Sequence, residues 1–396
     1  MKHLYRKWQA ILMLVLGTAF LAACQTMVPK TTAPTAPVQQ PDQPTTRPDD
    51  GPITGVLPSD ETRHRIALLL PLSGKDAAVG QSLANATTLA LMDTKASNIR
   101  ITSYDTARGA LPAAQRAIAD GNRLILGPLL SDDVVAIAAT ASAAKVPVIS
   151  YSNDVGIAGN NVFVMGYVPA QSVERVVRHA RAQGITRFAG LVPAGTYGQR
   201  ASSAMLSAVK AAGGTVVAMQ SYAAGNASVT TALKKMQADT AYEAILIADS
   251  GAAAIRIVPL IRANGGQAAR ILGTELWNTE RALPASAAMR GAWFASVSDG
   301  LYRQYATKYR AQFGTDPFRL STLGYDSVLL TTRIARDWKP GTAFPMDKLR
   351  DPRGFIGLDG AFRFSRGGVA ERLMEVQQVG AGTLTVASPA PKSFSQ

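Results

Sequence analysis

The chain has 396 residues, of which 47% are hydrophobic and 17% are charged, with one cysteine, three histidines and a net charge of +14. A single cysteine excludes an intramolecular disulfide and a CxxC metal or redox pair, and three histidines argue against a zinc site or a histidine-based catalytic triad. The basic excess favours anionic neighbours, but the absence of a basic run or an interleaved aromatic platform argues against nucleic acid as a partner.

The first predicted element is an export signal over residues 1–23. Three basic residues near the amino terminus precede an apolar run from Ala10 to Ala22. This run is too short to span a bilayer comfortably and ends in small residues, which is the layout of a cleaved secretory signal.

The signal ends in Leu-Ala-Ala-Cys, which matches the lipobox of bacterial lipoproteins. We therefore expect lipidation at Cys24, since several acyl chains on one residue anchor a protein stably. Gln25 follows where an aspartate would mark retention at the inner membrane, so the expected location is the periplasmic face of the outer membrane. The alternative is an ordinary signal peptide that happens to contain a cysteine.

Residues 24–62 are predicted to form a tether, because they are rich in Pro and Thr and lack an apolar period. Such a composition cannot bury a core and behaves as a semi-stiff linker. The signal and the tether carry five basic and five acidic side chains between them, so the folded body accounts for the whole net charge.

From Arg65 onward, short apolar runs alternate with helical patterns. The first predicted strands are RIALLLPL, NIRITSYDT, RLILGPLL and VPVISYSN. After VFVMGYVP the rhythm restarts with TRFAGLVP, GTVVAMQSY, AYEAILIAD and ARILGTELW. Strands joined by helices predict parallel, doubly wound sheets, because right-handed crossovers are nearly obligatory.

A body of about 330 residues is too long for one such sheet, so we expect an α/β fold with two doubly wound parallel-sheet lobes. Two more helices follow the second set of strands, and GAFRFSRGG with RLMEVQQVG is predicted to close the chain as a hairpin-like pair. The expected division is lobe 1 over 63–168 plus 298–356, and lobe 2 over 169–297 plus 357–388.

The body resembles the type I periplasmic binding-protein family, in its leucine/isoleucine/valine receptor branch. The resemblance depends on IALLLPLSG, ILGPLLS, AGTYGQR, GYDSVLLTTRIA and GAFRFSRGGVAERLMEVQQV. It implies two lobes joined by a multi-strand hinge. Within that superfamily, the order and spacing of LPLSG, YDT and GPLL resemble the C-terminal domain of penicillin-binding-protein activator lipoproteins, although here a bare linker replaces their preceding helical-repeat domain.

Ligands of open parallel sheets bind beyond the carboxyl ends of the strands, so the predicted site is the cleft between the lobes. The candidate ligand-binding residues are Ser131, Ser150, Asn153, Tyr197 and Glu275. By the resemblance, Ser131 and its helix amides would hold an amino-acid carboxylate, and Glu275 matches the acid that pairs with a ligand ammonium group. Tyr197 matches the family's aromatic residue in the YG turn. Plain capping by Ser131 and ordinary loop contacts by Tyr197 and Glu275 are the alternatives.

Three departures argue against a conventional amino-acid site. Val79 stands where receptors commonly present an aromatic residue, and the loop DSGAA also lacks one. Asp132, Asp133 and Asp154 bring negative charge near the proposed carboxylate pocket, where like charges disfavour binding.

We expect no enzymatic activity, no metal and no cofactor. Ser142–Lys145 forms an SxxK and Tyr151–Asn153 resembles a second acyl-transferase motif, but no KTG follows. GxSxG, HExxH and P-loop motifs are absent.

Two functions are compatible with these features. The first is an outer-membrane lipoprotein that binds and activates a peptidoglycan synthase, a penicillin-binding protein. The alternative is a solute receptor that delivers branched-chain or similar amino acids to an ABC transporter.

Overall fold

The computed structural model describes residues 62–237 and 241–394. The predicted export signal, the lipidation site Cys24 and the tether as far as residue 61 lie outside the described residues. Among the helices that are described, none is long and apolar enough to cross a membrane.

The described chain is built from β-strands and α-helices, joined by loops and short 3-10 helices. The strands are β1 (His64–Leu70), β2 (Ile99–Asp105), β3 (Ile125–Leu126), β4 (Val148–Ser150), β5 (Val162–Val164), β6 (Arg187–Pro193), β7 (Thr215–Tyr222), β8 (Ala244–Ile247), β9 (Arg270–Gly273), β10 (Trp293–Ser296), β11 (Phe355–Gly357), β12 (Gly360–Phe364), β13 (Ala370–Arg372), β14 (Glu375–Val379) and β15 (Leu384–Ser388). The α-helices are α1 (Ala77–Thr94), α2 (Ala110–Ala119), α3 (Ser131–Ala143), α4 (Pro169–Ala182), α5 (Thr196–Ala211), α6 (Asn226–Gln237), α7 (Gly251–Ala263), α8 (Gly300–Phe313) and α9 (Thr322–Ile334).

The first sheet has five parallel strands in the order β2-β1-β3-β4-β5. The central strand β1 is apolar on both faces because helices cover both. Leu68 and its alternate neighbours pack in a core shared with α1 and α9, while Ala67 and Leu69 pack against α2 and α3. A continuous apolar run is therefore the expected pattern for this strand.

The second sheet has seven strands in the order β15-β14-β10-β9-β8-β6-β7. Strands β6 to β10 are parallel, whereas β14 is antiparallel to both β10 and β15. Helix α4 leads from the first sheet into β6, helices α5 to α7 connect β6 to β9, and these four helices bury their apolar faces in two cores. The predicted doubly wound α/β class is thus confirmed.

Between β10 and β14 the chain returns to the first sheet. Tyr305 and Tyr309 of α8 and Tyr325 of α9 pack with Leu89 on α1. The three antiparallel strands β11-β12-β13 place Phe362, with Phe355 and Phe364, in the first core. We call the first sheet, α1–α3, α8, α9 and β11–β13 the first lobe, and the second sheet with α4–α7 the second lobe.

The closing pair of strands differs from the prediction in one respect. β12 forms a hairpin with β13, but β14 leaves that hairpin and joins the second sheet. The physical reason is burial: Ala370 on β13 packs in the first core, whereas Val376 and Val379 on β14 pack in cores of the second lobe. The predicted lobe boundary at 356/357 therefore falls inside the three-stranded sheet.

Candidate functional site

The candidate site is the cleft at the carboxyl ends of the parallel strands, where ligands of open α/β sheets bind. Loops after β1 to β4 form its wall on the first lobe. Loops after β6, β8 and β9 form its wall on the second lobe. An ion pair between Arg200 and Asp154 joins the two walls and shows that these strand ends face each other.

Asp105, at the end of β2, connects the LPLSG and YDT motifs. Its Oδ1 accepts hydrogen bonds from the backbone N–H groups of Leu72 at 2.9 Å and Ala107 at 3.0 Å, and its Oδ2 accepts one from the Ser73 hydroxyl at 2.6 Å. Desolvation acts to raise the pKa of Asp105, but these hydrogen bonds outweigh it and lower the pKa below its usual value. A charged carboxylate thus fixes both motif loops.

Ser131 is the first residue of α3 and is partly buried. Leu130 occupies the N-cap position, and its side chain caps no backbone amide. Asp132 and Asp133 follow in the first turn. Burial raises the pKa of Asp133, and the charges of Asp132 and Asp76 raise it further. The first turn of the helix that would hold a ligand carboxylate therefore carries two acidic side chains.

Ser150 is fully buried at the end of β4. Its hydroxyl donates to the carbonyl of Pro128 at 3.0 Å and accepts from the backbone N–H of Ser152 at 3.0 Å. These bonds hold the GPLL loop against the end of β4. Asn153, on the same loop as Ser150, is exposed.

The structure brings Tyr197 and Glu275 together on the second lobe. The Tyr197 hydroxyl lies 3.1 Å from Glu275 Oε1 and 3.0 Å from the hydroxyl of Thr274. Ser172 on α4, which is fully buried, donates its hydroxyl hydrogen to Glu275 Oε2. We call these four residues the Glu275 cluster.

The electrostatics of the Glu275 cluster suit a cation. Burial raises the pKa of Glu275, and the hydrogen bonds from Ser172 and Tyr197 act in the opposite direction. Within the described chain no basic side chain pairs with this carboxylate. The cluster therefore offers a desolvated carboxylate that an ammonium group could neutralise.

The ion pair across the cleft joins Arg200 Nη2 to Asp154 Oδ1 at 2.8 Å. Asp154 is oriented by its own loop, because it also accepts from the Gly156 N–H at 2.9 Å. Both charged side chains are partly exposed. The two lobes are thus connected at the cleft by groups of the protein itself.

A second polar connection lies behind the cleft, where the chain passes between the lobes. We call it the hinge cluster; it consists of Tyr167, Thr322, Arg319, Asp326, Asp359 and Arg372. Asp359 Oδ1 accepts from Arg319 at 2.7 Å, and its Oδ2 accepts from the hydroxyls of Thr322, at 2.7 Å, and Tyr167. All of these groups are largely withdrawn from water.

The hinge cluster reaches the second lobe through Arg319. Its Nη2 lies 3.4 Å from Asp299 Oδ1, which also accepts from Asn278 at 3.0 Å. Asn278 belongs to the short 3-10 helix Glu275–Thr279, so the hinge cluster and the Glu275 cluster are joined through one turn.

Asp326 is the buried acid of α9 in the GYDS motif. Its Oδ1 accepts from the Leu358 N–H at 2.6 Å, while its Oδ2 has no hydrogen-bond partner among the described residues. Burial, together with the charge of Asp359, raises the pKa of Asp326 to about 7, against the opposing effect of Arg372.

The sequence missed several of these residues for a definable reason. Ser172 meets Glu275, and Arg319 meets Asp359, only after distant segments of the chain fold together. The available signal was an acidic residue inside an apolar pattern, which Asp326 in LGYDSVLL provides. His179 lies in the last turn of α4 and is buried against the Trp293 ring. No group of three His, Cys, Asp or Glu residues within 62–237 and 241–394 could hold a metal ion.

Similarity to known proteins agrees with this architecture. A solved structure of a putative branched-chain amino acid ABC transporter from Rhodospirillum rubrum is 21% identical, covers 82% of this chain and 99% of its own, and superposes with a TM-score of 0.71. Full-length LpoA from Haemophilus influenzae is 21% identical over 82% of this chain and 59% of its own, with a TM-score of 0.64.

A relative in Rickettsia prowazekii, an uncharacterized protein, is 31% identical over 159 residues. This match spans 40% of the chain and 42% of the relative's length. The sequence profile described as periplasmic binding protein matches residues 64–383, which include every described strand except β15. The chain belongs to the type I periplasmic binding-protein family.

Proposed function

We propose that the protein is an outer-membrane lipoprotein whose folded body binds a peptidoglycan synthase and favours its active conformation. In this proposal Cys24 carries the lipid and residues 24–62 form the tether. The protein acts by binding without chemistry, so it shifts the synthase only as far as its affinities for the two synthase states differ.

The observation that carries the proposal is the Arg200–Asp154 ion pair across the cleft. In a receptor that closes on a solute, the ligand supplies much of the contact between the lobes. Here side chains of the protein supply it, and Arg319 of the hinge cluster reaches the second lobe through Asp299 and Asn278. A body with connected lobes is suited to presenting a fixed surface to a partner protein.

Two further observations support the same proposal. Asp132 and Asp133 lie at the start of α3, where they disfavour a ligand carboxylate. LpoA, a penicillin-binding-protein activator lipoprotein, shares the fold over 82% of this chain. Because LpoA is 21% identical, this likeness supports the fold, and the partner remains part of our proposal.

Co-purification tests the proposal. The full chain with a carboxyl-terminal tag is recovered from detergent-solubilised envelope after penicillin-binding proteins have been labelled with a fluorescent penicillin. We expect a labelled synthase to co-purify with the wild type and with Cys24→Ala, which removes the anchor but leaves the folded body intact. Recovery of a permease without any labelled protein would contradict the proposal.

The Glu275 cluster favours a second candidate, an ABC-transporter receptor for an amino acid or a similar amine. Its desolvated carboxylate, held by Ser172 and Tyr197, suits a ligand ammonium group. Free amino acids would then raise the melting temperature of the wild type, because a ligand that binds the native state stabilises it. Glu275→Gln would abolish that rise.

A further inference from the structure

Among the strands that the structure describes, the outer edge of β2 differs from the three other edges of the two large sheets. At the opposite edge of the first sheet, Val164 on β5 forms a parallel bridge with Val369. In the second sheet, the edge strands β7 and β15 both pair with their neighbours through an irregular register, and such irregularities twist an edge away from further pairing. β2 instead pairs with β1 over seven consecutive residue pairs without a shift.

The backbone of β2 presents polar groups along this outer edge. Thr106, directly after β2, donates its N–H to the Leu70 carbonyl on β1 at 2.9 Å. The backbone groups of successive strand residues point to opposite sides, so those of Ile101 and Ser103 point away from β1. Within residues 62–237 and 241–394, these outward N–H and C=O groups make no hydrogen bond. The edge is therefore able to pair with another strand.

A cavity of about 480 Å³ lies beside this edge. It is lined by the last four residues of β2, Thr102 to Asp105, and by residues of α2 that include Pro112 and Ala113. Neighbouring strands of a sheet lie about 4.8 Å apart, so a strand added to β2 would have side chains of one face in this cavity. The space beside the edge thus offers side-chain contacts in addition to backbone hydrogen bonds.

Two arginines give the cavity a chemical preference. Arg108 and Arg116 both line it, and both are exposed. The two carboxylates in the lining accept hydrogen bonds from other groups: Asp105 is held by the LPLSG loop, and Asp120 Oδ2 accepts from the Tyr104 hydroxyl at 2.8 Å. The two guanidinium groups are therefore placed to attract carboxylates of an incoming segment.

A second copy of this chain fits the edge poorly. Two-fold pairing of β2 with itself would bring Arg108 and Arg116 of both copies to one interface, where like charges repel each other. Each copy also carries a net charge of +14, which opposes self-association. An extended segment with acidic side chains, by contrast, complements the edge in both backbone and charge.

We propose that β2 binds an extended, acidic segment of the synthase as an added strand. Main-chain hydrogen bonds to Ile101 and Ser103 supply affinity, while Arg108 and Arg116 select for carboxylates. This inference rests on the proposed function, which supplies the partner, and it adds the surface and the mode of binding.

Recovery of the labelled synthase from detergent-solubilised envelope, compared between variants, tests the inference. Ser103→Pro removes an outward N–H but leaves the pairing with β1 intact, because proline is tolerated on edge strands where the N–H faces outward. We expect this variant to recover at least roughly tenfold less synthase, since its edge no longer accepts a strand. Ser103→Ala keeps the N–H and should recover as much synthase as the wild type.

Arg116→Glu provides a second measurement that does not depend on how well Ser103→Pro folds. We expect it to lower the recovery at least roughly threefold, because an attractive charge is replaced by a repulsive one. The difference from the wild type should shrink as the salt concentration rises. Arg303→Glu, the same substitution at an exposed arginine on α8, is the matched control and should behave like the wild type.

Three outcomes would overturn the added strand. Equal recovery by the wild type, Ser103→Pro and Arg116→Glu would leave the proposed function standing and place the contact on another surface. Recovery of no labelled synthase by the wild type would contradict the proposed function and this inference with it. A dimer of the purified wild type that Ser103→Pro, but not Ser103→Ala, dissociates in analytical ultracentrifugation would assign the edge to a second copy of the chain.

Discussion

Arg319 Nη1 lies 2.7 Å from Asp359 Oδ1, and the two side chains are 10% and 0% exposed. This pair joins the helix-rich part of the first lobe to β12. The desolvation of both charges is offset by the hydrogen bonds of the hinge cluster, so neither partner can be removed without leaving a buried charge.

Arg319→Met should therefore destabilise the protein by about 3–5 kcal/mol, because Asp359 would remain buried without its main partner. Urea denaturation followed by circular dichroism measures the change. Arg178→Met is the matched control. Arg178 pairs with Glu174 on an exposed helix face, so this substitution should lower the free energy of unfolding by less than about 1 kcal/mol. Equal losses in the two variants would contradict a special role for the hinge cluster.

The raised pKa of Asp326 predicts that the stability of the protein depends on pH. Its pKa in the folded protein is raised to about 7, so the folded state holds this proton more tightly than the unfolded chain does. The corresponding stability is present at low pH and is lost as the pH rises through 7. Between pH 5 and pH 8 the loss should be about 2–3 kcal/mol.

Asp326→Asn removes this titration while keeping an acceptor for the Leu358 N–H. We expect the unfolding free energy of the variant to change less between pH 5 and pH 8 than that of the wild type. Denaturation curves at both pH values provide the comparison. A variant that loses as much stability as the wild type over this range would show that another group titrates.

Ser172→Ala should raise the pKa of Glu275, because the Ser172 hydroxyl donates to the charged carboxylate. The same lost hydrogen bond should cost about 1–3 kcal/mol of stability. Carbon-detected NMR titration of the Glu275 carboxyl group measures the pKa. Ser202→Ala, at a partly buried position on α5 outside the cluster, should leave the Glu275 pKa unchanged; an equal shift would indicate a nonspecific effect.

Arg200→Ala should loosen the cleft without unfolding the protein, because the Arg200–Asp154 pair is partly exposed and contributes about 0–1 kcal/mol. Val135 and Leu206 are exposed positions on opposite lobes. Spin labels on Val135→Cys and Leu206→Cys, in a Cys24→Ser background, report the distance between the two lobes. We expect a broader distance distribution than in the parent. Lys210→Ala, which removes a charge from the same helix, is the control. Identical distance distributions in the parent, Arg200→Ala and Lys210→Ala would contradict a role of the Arg200–Asp154 ion pair in holding the lobes together.

Most of the fold could be predicted from the sequence, because the patterns that indicate strands and helices are local. RIALLLPL is apolar on both faces, and β1 indeed contacts one core on each face. The change of sheet between β13 and β14 escaped prediction, because both strands lie in one continuous stretch, GAFRFSRGGVAERLMEVQQV, with no break between them.

Prediction was harder at the candidate site because the decisive contacts are long-range. Tyr197 and Glu275 were both singled out and lie together, yet Ser172, 103 residues before Glu275, could not be paired with it from sequence. The SxxK serine, Ser142, lies on the last turn of α3, and its Lys145 follows with a positive φ of 56°. Ser131, Ser150 and Asn153 stay predictions as ligand contacts.

The most direct test of the central claim is glycan polymerisation by a purified synthase recovered with this protein, measured with and without an equimolar amount of the full chain. Our account predicts a higher initial rate with the wild type and no response of its melting temperature to free amino acids. An unchanged rate, together with a melting temperature that one amino acid raises in the wild type but not in Glu275→Gln, would contradict it.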